Sequence, residues 1–144
     1  MNNAAASTLH KDRKRYPVYS VSGAQKMGVL TPEEKVRQFT IHQLCGAYAY
    51  PLKYISVEKT LKVNELSKRY DVVVYNRQLQ PSVLIECKAE HVPLSDKTLQ
   101  QIATYNITMQ VTYLMVTNGK NSYCFEIKDN APHPLEMLPE FERL

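Results

Sequence analysis

Two apolar segments separated by a short turn constrain the fold of this chain more than any other feature. Asp71–Tyr75 is apolar after its first residue, and Ser82–Lys88 is apolar until its charged end. Asn76–Pro81 connects them and has the composition of a turn. Nearly continuous apolar strands are typical of a sheet that is covered on both faces. The pair therefore predicts a hairpin at the centre of a sheet.

Helix signals occur before and after this hairpin. Thr31, Pro32 and Glu34 have the types and spacing of a helix cap, a first-turn proline and a capping-box acid, and Gly46 suits the helix end. A second helix is predicted over 95–108, with a stripe of three buried apolar residues: Leu99, Ile102 and Ala103. The hairpin is therefore expected between two helices of the chain.

Three further segments have strand patterns. Ile55–Val63 alternates apolar and polar residues, Val111–Thr117 is largely apolar, and Ser122–Ile127 follows the turn signal Asn118-Gly119. With the hairpin and the helices, the predicted order is αβββαββ. This order indicates one α/β domain with a mixed central sheet flanked by helices.

The two ends of the chain differ from this core. Residues 1–30 contain the basic cluster Lys11–Arg15 and the run Tyr16–Val21, which we interpret as a basic N-terminal arm. The arm is either a solvated tail with one short edge strand or a nucleic-acid-binding segment. Residues 31–128 form the predicted domain. Residues 129–144 contain three prolines and are predicted to be a C-terminal tail without regular structure throughout.

Composition excludes several classes of protein. The chain has 144 residues and a net charge of +4, which fits one domain, and no run of about 18 apolar residues is present to span a membrane. Met1–Ser7 lacks the apolar part of a secretory signal, so the expected location is the cytoplasm. Three distant cysteines and four scattered histidines match no zinc motif, and no G-x-x-x-x-G-K-[ST] loop is present to bind ATP.

Charged residues stand where the two strands of the hairpin meet. Asp71 opens the first strand and Glu86-Cys87-Lys88 closes the second, with Glu86 and Lys88 on one face because side chains alternate along a strand. If the register places Asp71 opposite them, two carboxylates and one ammonium group converge. Two carboxylates are the usual protein ligands of Mg²⁺, and the backbone carbonyl of Cys87 is a further candidate. Such an ion activates water at a phosphodiester, and Lys88 would orient that water or balance the developing charge.

The alternative is an exposed salt bridge at the rim of the sheet. The pattern E-x-K occurs three times in the chain, beginning at Glu33, Glu86 and Glu126. The one at Glu86 differs because it closes an apolar strand whose neighbour opens with an acid, and a buried carboxylate without a partner is costly. From the residues alone, a functional cluster and a rim salt bridge are equally open.

Several motifs occur together in a distinctive order. Arg69-Tyr70-Asp71, the turn and Glu86-Cys87-Lys88 are followed by Gln101 and Tyr105, spaced i and i+4, and by Thr117-Asn118-Gly119. This order, with the opening helix from Thr31, resembles the PD-(D/E)xK nucleases over about residues 31–127. More narrowly, it resembles the N-terminal nuclease domain of type I restriction enzyme R subunits and short proteins related to it.

The resemblance implies a restriction-endonuclease-like fold and roles for the matching residues. Asp71 and Glu86 would ligate Mg²⁺ or Mn²⁺, Lys88 would be the catalytic lysine, and Gln101 and Tyr105 would position DNA or the metal-bound water. The alternative for the last two is a buried polar pair that braces the helix on the sheet.

Two further acids are candidates with strong alternatives. Glu34 matches an acid of the first helix that completes the metal site in some members, and its capping-box position explains it equally well. Glu58 is either an acid close to the site or an exposed strand residue.

The implied function is a metal-dependent endonuclease that hydrolyses DNA in restriction-modification. Its implied partners are DNA and either a second copy of the chain, since a double-strand cut requires two active sites, or separate motor and specificity subunits. Two alternatives stay open. One is a non-cutting module that binds nucleic acid or a subunit, and the other is a purely structural subunit of a larger assembly.

Overall fold

The structure is a computed structural model that describes the strands Tyr16–Tyr19 and Gln25–Gly28 and then residues 31–144. The helices of this described part are α1 (Pro32–Cys45) and α2 (Asp96–Ile107), and short 3-10 helices lie at Leu52–Tyr54 and Phe141–Arg143. The strands are β1 (Tyr16–Tyr19), β2 (Gln25–Gly28), β3 (Ile55–Val63), β4 (Leu66–Tyr75), β5 (Pro81–Cys87), β6 (Tyr113–Thr117), β7 (Ser122–Lys128) and β8 (Ala131–Leu135).

Six strands form one mixed sheet in the order β3-β4-β5-β6-β7-β8. The neighbours β5 and β6 are parallel and are joined through α2, whereas every other neighbouring pair in this sheet is antiparallel. The predicted α/β class and the mixed sheet are confirmed. The predicted hairpin corresponds to β4 and β5, which occupy interior positions.

The sheet separates two clusters of buried apolar side chains. Helix α1 contributes Val36 and Leu44 to the first cluster, and α2 contributes Leu99 and Ala103 to the second cluster. Each face of the sheet is therefore covered by one helix. This explains why Val72–Val74 is apolar at every position, since its side chains enter both clusters.

Side chains cap the starts of both helices, and the cap at Thr31 is the predicted one. The Thr31 hydroxyl accepts a hydrogen bond from the Glu34 backbone N–H at 3.1 Å, and the Ser95 hydroxyl accepts one from Thr98 at 3.2 Å. These bonds satisfy backbone donors that have no partner inside the helix. Helix α1 ends before Gly46, and α2 lies one residue inside each end of the predicted range.

Two parts of the sheet differ from the predicted order. Strand β4 begins at Leu66, five residues before the predicted start, because it pairs with β3 back to the turn between them. Among the residues that the structure describes, β1 and β2 pair with each other alone, in a separate antiparallel sheet. The run predicted as one edge strand thus provides β1. The basic cluster Lys11–Arg15 lies outside the described residues.

The segment 129–144, expected to be a tail, packs into the domain. It contains β8, which pairs with β7, and it buries Leu138 and Phe141 in the first cluster. Pro132 and Pro134 fit this strand because β8 lies at the edge of the sheet, where alternate residues turn their nitrogen away from the neighbouring strand. The packed unit therefore continues beyond the expected boundary at residue 128. Neither helix within residues 31–144 is long and apolar enough to cross a membrane.

Candidate functional site

Asp71 lies where β4 changes the face that it buries. Tyr70 belongs to the second cluster and Val72 to the first, although residues two apart on a regular strand share a face. Glu58 and Asp71 lie between the register pairs Val57–Val72 and Lys59–Tyr70, where the β3–β4 pairing is interrupted, and Glu58 has a φ of 52°. This left-handed conformation is unfavourable for a residue with a Cβ atom. The irregular geometry directs both acids away from the regular alternation of their strands.

The Asp71 carboxylate is held by one backbone group and lies near one cation. Its Oδ2 accepts a hydrogen bond from the Cys87 backbone N–H at 2.8 Å, and its Oδ1 lies 3.7 Å from Nη1 of Arg37. Burial raises the pKa of Asp71 above its ordinary value, and the charges of Glu33 and Glu86 act in the same direction. The Cys87 N–H and Arg37 act against this rise but do not cancel it.

A charged cleft of about 360 Å³ surrounds this carboxylate, and we name it the Asp71 cleft. Four carboxylates and two guanidinium groups are among its lining residues, which are Thr31, Glu33, Glu34, Arg37, Glu58, Arg69, Tyr70 and Asp71. Glu58 is bonded to Arg69, and Nη1 of Arg37 lies 3.9 Å from Oε1 of Glu58. The acids of the cleft are therefore partly balanced by arginines of the same chain.

Glu34 combines both features considered for it. Its backbone N–H is bonded to the Thr31 cap, and its side chain lines the Asp71 cleft. The carboxylate accepts hydrogen bonds from Arg37 and, at 2.8 Å, from Nε2 of Gln38. The acid thus orients a guanidinium group beside Asp71.

Glu86 lies in a second network, on the α2 side of the sheet. Its Oε1 lies 3.2 Å from Nζ of Lys68, and its Oε2 accepts a hydrogen bond from Nδ2 of Asn106 at 3.0 Å. The Asn106 amide also donates to the carbonyl of Ile102 at 2.8 Å and accepts from the Tyr70 hydroxyl. Tyr70 and Asn106 are each 1% exposed. Burial raises the pKa of Tyr70, so its hydroxyl keeps the proton that it donates.

A cleft of about 360 Å³ opens beside this network, and we name it the Glu86 cleft. It is lined by Lys68, Glu86, Gln101, Ile102 and Tyr105. The Lys68 ammonium lies 4.9 Å from the ring centroid of Tyr70 and 5.6 Å from that of Tyr105, within cation–π range. Gln101 and Tyr105 share the helical face predicted for them, and both are exposed, which does not fit a buried bracing pair.

The structure places Asp71 and Glu86 on neighbouring strands where the β4–β5 pairing stops, but in different clefts. Their register pairing ends at Val72 and Ile85, one residue short of the two acids. Asp71 faces the arginines of its cleft, whereas Glu86 turns towards Lys68. The convergence predicted from strand alternation is therefore partial, because the strand changes face at Asp71.

Lys88 and Cys87 complete the predicted set. Strand β5 ends at Cys87, and the Lys88 backbone N–H continues the ladder by donating to the Thr117 carbonyl at 2.8 Å. Within residues 31–144 the Lys88 ammonium forms no ion pair. The Cys87 thiol is buried 3.9 Å from the Thr40 hydroxyl, and burial raises its pKa, so it stays protonated. Only the carbonyl of Cys87 remains a candidate ligand.

Comparison with protein families now adds to this geometry. The profile of the family described as Type I restriction enzyme R protein N terminus matches residues 32–141. The chain belongs to this family. No curated protein matches the chain. The matched range of the type I restriction enzyme R protein N terminus includes both helices, both clefts and β8, so the family unit also contains the segment expected to be a tail.

The oxygen ligands that Asp71 and Glu86 provide in this R-protein domain are of the chemical type that binds a divalent metal. Carboxylate oxygens are the ligands that Mg²⁺ prefers, and Asp71 and Glu86 supply them from adjacent strands. In residues 31–144 no group of three His, Cys, Asp or Glu side chains is gathered as a metal site. Each of the two carboxylates forms an ion pair with a cation of the chain, Asp71 with Arg37 and Glu86 with Lys68.

Three residues that shape this R-protein site were not among the predicted site residues. Arg37, Lys68 and Asn106 contact the predicted acids. Arg37 lies in the opening helix that resembles the family, whereas Lys68 and Asn106 belong to no motif of the chain. A usable signal exists for Asn106, because it continues the buried stripe of Leu99 and Ala103 at helical spacing. A polar residue on such a stripe needs a buried partner.

Proposed function

We propose that this domain hydrolyses phosphodiester bonds of DNA, as the nuclease domain of a type I restriction-modification enzyme with a PD-(D/E)xK core. The observation that carries the proposal is the position of Asp71 and Glu86. Asp71 and Glu86 lie on adjacent interior strands, one residue beyond the last pair of the β4–β5 ladder, and each lines a charged cleft. Membership of the R-protein family is consistent with a nuclease-related function.

In this proposal Asp71 and Glu86 hold Mg²⁺ or Mn²⁺, with the carbonyl of Cys87 as a further ligand. The bound ion supplies Lewis acidity and lowers the pKa of a bound water. Lys88, whose ammonium forms no ion pair within residues 31–144, orients the attacking water and balances charge in the transition state. DNA is the substrate.

The remaining side chains position these groups. Gln101 and Tyr105 contact DNA in the Glu86 cleft, which both of them line. Glu34 acts through Arg37, which it bonds and which lies near Asp71. Further partners of the domain are motor and specificity subunits or a second copy of the chain, and ATP is bound elsewhere.

One observation favours a second candidate function, a module that binds DNA or a subunit without cutting. Arg37 and Lys68 stand beside the two carboxylates, so the acids have protein counter-charges without a metal. A domain of this kind balances its acids in part without a metal. It would keep the fold of a nuclease while contributing only binding.

Cleavage of supercoiled plasmid tests the choice between these functions. Wild-type protein is incubated with DNA and Mg²⁺ or Mn²⁺, beside Glu86→Gln, Lys88→Ala and the control Lys128→Ala, which removes an exposed lysine of β7. Metal-dependent nicking is expected for wild type and control. It should fall at least about 100-fold in the two site variants, the scale of losing one electrostatic stabiliser. Absence of cleavage, or equal cleavage by all four proteins, would sink the nuclease proposal.

A further inference from the structure

Strands β3 and β4 continue as a two-stranded ribbon beyond the part of β4 that pairs with β5. Strand β4 pairs with β5 only from Val72 to Tyr75, but it pairs with β3 from Leu66 onwards. We name residues 59–70 the ribbon. It starts beside Asp71 and turns at Asn64 and Glu65.

The two faces of the ribbon differ in chemistry. Leu61, Val63 and Tyr70 on the inner face pack against the second cluster, and Lys68 reaches Glu86 from that side. The outer face consists of two cross-strand pairs, Thr60 with Arg69 and Lys62 with Ser67. All four residues of this outer face are exposed, and none is acidic.

The outer face carries the groups that bind phosphate. Lysine, arginine and hydroxyl side chains are among the groups that contact phosphate oxygens of DNA. The outer face presents two cations and two hydroxyl groups, whereas Lys59 and Lys68 lie on the inner face. Arg69 pairs with Glu58, but its side chain is 63% exposed, and it also lines the Asp71 cleft, so the outer face continues into the candidate site.

We infer that the outer face of the ribbon holds the phosphate backbone of duplex DNA and delivers it to the Asp71 cleft. The inference rests on the proposed function for its choice of DNA as the partner. A two-stranded ribbon has the dimensions to enter the major groove. Backbone contacts of this kind fix the position of the duplex and are independent of its sequence.

Salt-dependent binding tests the inference. Fluorescence anisotropy measures the affinity of the full chain for a short duplex of random sequence, in EDTA, between about 50 and 200 mM salt. The ribbon variant combines Lys62→Gln with Arg69→Gln. The control combines Lys59→Gln, which lies opposite Tyr70 on the inner face, with Lys128→Gln, so both proteins lose two charges.

The slope of log K against log salt is expected to become shallower by about 1.8 in the ribbon variant, since each lost phosphate contact removes about 0.9. The control is expected to keep the wild-type slope. Equal slopes in the two variants, or no binding by wild type, overturn the inference; an acidic protein partner would then account for the charge. The binding assay contains EDTA and therefore does not depend on catalysis. If the chain binds duplex DNA in this assay but does not cleave plasmid in the presence of metal, the proposed nuclease is refuted and the ribbon inference stands.

Discussion

The pair Tyr70 and Asn106 offers the sharpest test of how Glu86 is held. Both side chains are buried, and the Tyr70 hydroxyl donates to the same amide that donates to Glu86. Truncating Asn106 to alanine removes that amide. The change leaves the tyrosine hydroxyl buried without an acceptor and leaves Glu86 with Lys68 as its remaining partner.

The expected loss follows from these contacts. A buried hydroxyl without a partner costs about 1–3 kcal/mol, and a lost bond to a charged group costs about 1.5–3 kcal/mol. The lower end applies to Glu86, because its side chain is 13% exposed and keeps Lys68. Alanine recovers up to about 0.7 kcal/mol of helix propensity. We therefore expect Asn106→Ala to lower the free energy of unfolding by about 2–4 kcal/mol.

A double-mutant cycle assigns this loss to the contact. Tyr70→Phe alone should cost about 1–2 kcal/mol, because it leaves the Asn106 carbonyl oxygen unpaired. Each single variant removes the hydrogen bond between Tyr70 and Asn106, and the double variant removes the same bond. The free energy of unfolding of the double variant should therefore be about 1 kcal/mol higher than the sum of the two single losses predicts.

Urea unfolding of the four proteins at pH 7 measures these energies. A matched control pairs Tyr70→Phe with Thr104→Ala, an exposed position of the same helix whose hydroxyl bonds Gln100. The control should be additive within about 0.5 kcal/mol. Additivity in the Asn106 cycle as well would refute the network.

Two further predictions concern the irregular geometry at Asp71. Glu58→Gly should be about 0.5–1 kcal/mol more stable than Glu58→Ala by urea unfolding, since glycine avoids the strain at a φ of 52° and both changes lose the bond to Arg69. Asp71 has a raised pKa in the folded chain, so its contribution to stability is present below the unfolded pKa and is lost as the pH rises through the folded value. Asp71→Asn should therefore gain stability relative to metal-free wild type as the pH rises from about 4 to 7.

Clear outcomes contradict each of these two predictions. At Lys59, the next residue of β3, the glycine variant should be less stable than the alanine variant. If the glycine variant is also the less stable one at Glu58, the backbone there is unstrained. For Asp71, an unfolding free energy of Asp71→Asn that stays constant or falls relative to wild type as the pH rises would mean that the ionised carboxylate is well solvated in the folded chain.

The elements predicted correctly are those whose signals are local. Thr31 and Ser95 determine the starts of the helices through bonds to residues three positions ahead, and the apolar runs of β4 and β5 reflect burial on two faces. The start of β4 at Leu66 was missed because that part of the strand is polar and depends on pairing with β3. Strand β8 was missed because its prolines are compatible with a strand only at a sheet edge, which is a property of the whole fold.

The candidate site was predictable only as far as its motif. Asp71 and Glu86 were found because each lies at the end of an apolar strand. The separation of their clefts was not predictable, because it follows from a change of face that a regular alternation cannot show. Lys68 and Asn106 contact Glu86 from β4 and α2. Contacts between segments that are distant in the chain cannot be predicted from the spacing of residues within one segment.

The alternating prolines of β8 limit how this domain joins other chains. Pro132 and Pro134 occupy the outward-facing positions of the edge strand, so that edge presents carbonyl oxygens without matching donors. A strand from another molecule cannot complete a ladder there, which protects the sheet from edge-to-edge aggregation. Another chain that binds this domain would therefore contact side-chain surfaces or the β3 edge, and the two chains would not share a continuous sheet through β8.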